Sequence, residues 1–207
     1  MPSGVNGRKI AFFATDGVEE SELVEPWDAL SSAGAVVHLV SLQAGEIQAT
    51  RDGHPAGRFK VDRVLSQARA GDYDGLVLPG GAENPAQLHA DANVVGFLRA
   101  FMDSDKPVGA IGEAPRLLIE ADEVRGRSMT SSPSLRTEIQ NAGGLWVDRP
   151  VETDQRLVTS RGPDDLRALC RTLLEVFEQG IDERRLDSVV EQSFPASDPP
   201  PGPAAPA

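Results

Sequence analysis

The 207-residue chain has a single cysteine, Cys170, so it can form no internal disulfide. A chain without that framework is held by its core, and one thiol fits a reducing, cytoplasmic setting. Basic residues are scarce: 20 Lys and Arg stand against 32 Asp and Glu, a formal net charge of -12. Such a balance repels phosphate backbones and anionic lipid surfaces, so neither nucleic acid nor membrane is an expected partner. No apolar run approaches the roughly 20 residues of a membrane span, and the first nine residues carry no apolar signal core. The three histidines, His38, His54 and His89, share no metal-ligand spacing, and no metal site is expected.

What is present is a regular alternation of apolar runs and helical patterns, with 40% hydrophobic residues over 207 positions. That content suits one domain with a full core plus a tail. Strands are predicted over 9–15, 35–42, 74–79, 106–111 and 157–160, and residues 43–60 carry turn signals and a small hairpin. Helical spacing joins Leu23, Trp27 and Leu30, with Gly34 as the stop. It recurs at Val94, Val95, Leu98 and Phe101, over Ser134 to Asn141, and over Pro163 to Glu178. Cys170 lies on the apolar face of that last helix and reads as a small buried hydrophobe. Strand–helix alternation predicts an α/β fold, with a mainly parallel central sheet and helices on both faces.

Sites in such folds lie at the carboxyl ends of strands. Three of these ends stand out, at Asp16 to Glu19, Gly80 to Pro85 and Gly112 to Pro115. The third is the most informative. A strand ending at Ile111 turns directly into a helix opening at Pro115, which is where α/β enzymes seat a nucleophile. The seat holds Gly112, which has no side chain. The residues around it offer carboxyls instead, Glu19 and Glu113. Gly80 and Gly81 match neither glycine fingerprint of a phosphate or dinucleotide site, and no cofactor is expected.

Taken in order and spacing, six segments resemble the ThiJ/PfpI family of class I glutamine-amidotransferase-like proteins. They are FFATDGVEESEL at 12–23, LVLPGG at 76–81, KPVGAI at 106–111, RGRSMTSSPS at 125–134, NAGGLWVD at 141–148 and LVTSR at 157–161. The resemblance implies a flavodoxin-like sandwich and a homo-oligomer, dimeric or higher. It divides the chain into an N-terminal extension (1–8), a ThiJ/PfpI-like domain (9–180) and a charged, then proline-rich, flexible tail (181–207). The family's reactions rest on a Cys in the pattern Ala-x-Cys-His-Gly-Pro. Gly112 stands in place of that Cys, Glu113 in place of the His, Ala114 in place of the Gly, and Ala86 where close relatives carry an auxiliary acid. Glu19 is taken as the acid the family keeps.

Peptidase, glyoxalase and amidotransferase activity of the family type is therefore expected to be absent. Glycine at the elbow keeps its backbone shape without strain, so positive φ is expected at Gly112. Three functions remain open. One is small-molecule or protein binding in the retained cleft, associated with stress, with Gly80, Gly81 and Ala114 as binding positions. Another is an enzyme of hydrolase or lyase/hydratase type using Glu19 and Glu113 as an acid/base pair. The third is an oligomeric scaffold recruiting a partner through its tail, with Phe194 as anchor. Ser131, Ser132 and Ser134 supply hydroxyls without a histidine partner, a weak basis for serine chemistry.

Overall fold

The computed structural model describes residues 4–89 and 91–193, with side chains up to residue 179. Strand β1 (Lys9–Phe13) leads to helix α1 (Glu20–Ser32) and strand β2 (Val36–Ser41). A hairpin follows, β3 (Glu46–Arg51) and β4 (His54–Lys60), then the short edge strand β5 (Arg63–Val64). Next come β6 (Gly75–Leu78), α2 (Asn84–Leu88), α3 (Ala92–Met102), β7 (Val108–Ile111) and α4 (Pro115–Glu120). The chain continues through β8 (Ser128–Met129), α5 (Arg136–Asn141), β9 (Leu145–Trp146), β10 (Val151–Asp154), β11 (Leu157–Ser160) and α6 (Leu166–Ser193).

The central sheet has seven strands in the order β10-β11-β7-β6-β1-β2-β5. Every neighbour pair is parallel except β10–β11. Alternation along β1 shows how both faces are used. Ala11 and Phe13 enter one core cluster with Val94, Leu98 and Phe101 of α3 and Leu117 of α4. Ile10 and Phe12 enter the other, with Leu23 and Leu30 of α1 and Leu169 and Leu173 of α6. Strand side chains point to opposite faces with period two, so one buried strand feeds both layers. This is the mainly parallel, doubly covered sheet expected from the sequence.

Helix limits follow local chemistry. α1 carries Glu20 and Glu22 in its first turn, where the helix dipole favours acids, and stops where Gly34 takes φ 95°. Pro26 lies inside α1 and has no N–H to bond the Glu22 carbonyl one turn back. At the far end, α6 runs unbroken from Leu166 to Ser193, so its backbone crosses residue 180, where the sequence analysis places the tail boundary. Residues 1–3 of the expected N-terminal extension and 194–207 of the expected tail, Phe194 among them, lie outside the described residues.

The parallel register aligns strand ends at one edge. Phe12 is level with Val77, Leu78 with Ala110, and Ile111 with Ser160. The turns that leave β1, β6, β7 and β11 at this edge come together around Gly112.

Candidate functional site

Gly112 takes φ 57°, the left-handed value expected of it, immediately after β7. Its N–H donates to the Ser160 carbonyl at 3.0 Å, and its carbonyl accepts from Ser132 N at 2.9 Å. The elbow is thus fixed by backbone on both sides. Ser160 also has a buried hydroxyl without a partner among the described residues.

The turn after β6 presses against this elbow. A Cβ at Gly80 would lie 2.7 Å from the Ile111 carbonyl oxygen and 3.0 Å from Glu113 N. Gly81 takes φ 104°, and a Cβ there would lie 2.6 Å from Glu19 N. Both positions need glycine because backbone faces backbone across the cleft floor. Asn84 ties the same turns together and is wholly buried. Its Oδ1 accepts from Thr15 N at 2.7 Å, while Nδ2 donates to the carbonyls of Pro79 at 2.8 Å and Gly80 at 3.1 Å.

The carboxyl beside Gly112 belongs to Glu22, a residue the sequence analysis did not single out. Glu22 is 3% exposed. Its Oε2 accepts from Gly80 N at 2.7 Å, and its Oε1 stands 2.9 Å from where a Cβ on Gly112 would be. Oε1 accepts from no described group. Burial pushes the Glu22 carboxyl up to about 7; the Gly80 N–H opposes the rise, and the charges of Glu19 and Glu113 add to it. A signal for it existed in the sequence: Glu22, Pro26 and Leu30 recur at four-residue spacing and are all buried on α1.

Glu19 and Glu113 flank this group. Glu19 sits at the N-cap position of α1 without a side-chain cap bond, its N–H reaches Gly80 O at 3.4 Å, and its backbone bridges to Thr50 of the hairpin. Burial and the charge of Asp52 raise its carboxyl. Glu113 lies on the other side at the rim. Its Oε1 accepts from the Ser134 hydroxyl, itself 2.9 Å from that of Ser132, and Arg116 stands 3.8 Å from Oε2. The structure brings both expected carboxyls within electrostatic reach of Glu22, and shows no direct contact between the two.

The expected binding positions differ in what they offer. The Gly80 N–H is taken by Glu22, and the Ala114 N–H by Ile111 O at 2.8 Å. The N–H groups of Gly81 and Glu113 donate to no described residue. Cys170 is remote, on α6, half-buried, with its thiol pushed up to about 11 by burial and the nearby Glu25 charge. Among the described residues no group of three or more His, Cys, Asp and Glu is placed to hold a metal ion. No helix among them is long and apolar enough to cross a membrane.

A mainly parallel sheet whose strand-to-helix elbow faces a double-glycine turn and a buried acid defines a flavodoxin-like α/β protein. Within that class, residues 8–176 match the sequence profile of the DJ-1/PfpI family, and the chain belongs to this family. It is 38% identical over 170 residues to protein/nucleic acid deglycase 2 of Escherichia coli, covering 82% of this chain and 97% of that one. It is 38% identical over 174 residues to general stress protein 18 of Bacillus subtilis, covering 84% and 99%. The crystal structure of Drosophila melanogaster DJ-1beta superposes with a TM-score of 0.75 at 26% identity, over 88% of this chain and 98% of that one.

Proposed function

We propose that this chain is a binding member of its family that has given up thiol catalysis and takes a small molecule or a peptide segment in the elbow cleft. The observation that carries the reading is Glu22 Oε1 lying 2.9 Å from the Cβ position of Gly112, a carboxyl where a nucleophile would project. With Cys170 on another helix and its thiol raised, no thiolate serves the cleft. The N–H groups of Gly81 and Glu113, which donate to no described residue, are donors available to a ligand. The relatives named as a deglycase and a general stress protein support a stress-associated role. A cytoplasmic homo-oligomer is part of the same proposal, and light scattering of the purified chain reads its size.

The experiment is a comparison of wild type with Glu22→Gln and Glu113→Ala against glycated amino acids, methylglyoxal and a peptide substrate. Wild type is expected to show no turnover above buffer with any of them. Turnover that is abolished by alkylating the protein would refute the proposal.

A second reading is favoured by the burial of the Glu22 carboxyl with only Oε2 bonded, to Gly80 N, a setting that pushes it up to about 7. A group poised there is suited to accept and return a proton at neutral pH, with Glu113 as its partner across the elbow. Under this reading the acid/base pair is Glu22 and Glu113, with Glu19 as a neighbouring charge. Turnover that survives alkylation and is lost in Glu22→Gln would select it.

A further inference from the structure

We propose a second ligand site, separate from the elbow, for a small amphipathic carboxylate. A cavity of about 500 Å³ opens beside the ends of β2 and β5, between α3 and the segment 65–72. Leu42, Leu65 and Phe97 give it an apolar floor, and Arg69 stands at its rim. The volume lies in the range of small-molecule pockets.

Arg69 is what gives the site a chemistry. Its guanidinium makes no ion pair or hydrogen bond with any described residue, while the neighbouring Arg63 lies 3.5 Å from Asp72 and Arg8 lies 3.8 Å from Asp74. Asp91 shares the cavity with its charge intact and directs Oδ1 to the start of α3, accepting from Asn93 N at 2.8 Å and from Asn93 Nδ2 at 3.0 Å. In a chain of net charge -12, this lining is neutral, with one arginine that has no ion-pair partner among the described residues set against Asp91. The wall is formed in advance. Ala68 N bonds Leu65 O at 3.0 Å, Asp72 N bonds Arg69 O at 2.9 Å, and Lys106 Nζ holds Ala70 O at 2.8 Å. A flat apolar body fits the floor, and a carboxylate on its end meets the planar fork of Arg69.

The test uses the full chain, calorimetric titration with naphthalene-2-carboxylate, and the neutral naphthalene-2-carboxamide in parallel. One saturable site for the acid is expected, with the amide bound at least about tenfold more weakly. Arg69→Gln is expected to remove that preference, Ala100→Trp to block the cavity for both probes, and Glu22→Gln to leave binding unchanged; circular dichroism confirms that each variant is folded. No saturable binding of the acid at millimolar concentration, equal binding of acid and amide to wild type, or loss of binding in Glu22→Gln with Arg69→Gln unaffected would each overturn the proposal.

Discussion

Replacing Glu22 by Gln tests the account of the elbow most directly. The amide keeps the shape of the carboxyl, and its oxygen can still accept the Gly80 N–H, so packing changes little. What disappears is a titration. A carboxyl that moves from its ordinary 4.5 to about 7 on folding binds its proton more tightly in the native state than in the unfolded one. Native Glu22 therefore contributes stability that is full below pH 4.5 and is lost as the pH rises through 7. The shift corresponds to about 3 kcal/mol of proton affinity, most of which falls between pH 5 and pH 8. Urea unfolding at pH 5, 6, 7 and 8 measures it. Other carboxyls titrate in both proteins, so the difference between wild type and Glu22→Gln isolates this group. Wild type is expected to lose about 2–3 kcal/mol relative to the variant over that interval, most of it between pH 5 and 7. Two parallel curves would refute the claim that Glu22 is buried with one oxygen unpaired.

Other outcomes follow from the same geometry. Gly112→Ala places a side chain at φ 57° against the movable end of Glu22 and should cost about 1–3 kcal/mol by urea unfolding. Gly81→Ala drives a Cβ into backbone atoms of the Gly17–Glu19 turn and should cost more; equal losses would contradict the close approach described. Asn84→Ala strands the Thr15 N–H and the Pro79 carbonyl in a buried position and should cost about 2–4 kcal/mol, detectable as a lower urea midpoint. Cys170 should react with a disulfide reagent at neutral pH far more slowly than after unfolding, since burial holds its thiol up at about 11; equal rates in a stopped-flow trace would contradict this.

Much of this architecture was legible in the sequence because apolar runs report burial. The strand over 157–160 and the helix stop at Gly34 are found where periodicity and glycine place them. The turn-rich stretch 43–60 holds the hairpin β3–β4. Short elements escaped. β5, β8 and β9 have two residues each, too few to show a period, and β10 carries Glu152 and Asp154, which mask its pairing with β11. At the site, the elbow was legible because strand, glycine and helix adjoin in sequence. Glu22 was not, because its role depends on the Gly80 turn, 58 residues away along the chain. An acid inside a buried helical stripe is a visible signal, but only if charge is weighed with the apolar spacing. Glu19 lies beside the strand end, and local position alone does not separate it from Glu22 one helical turn along.

The tie made by Asn84 has a consequence for how such a protein can change over generations. The three turns around Gly112 are pinned by one buried amide, by glycines and by main-chain bonds, none of which involves a side chain at position 112. The seat is therefore inherited independently of its occupant. A lineage can exchange or delete the reactive group there without dismantling the strand ends around it, and successive replacements at that position meet a scaffold already assembled to receive them.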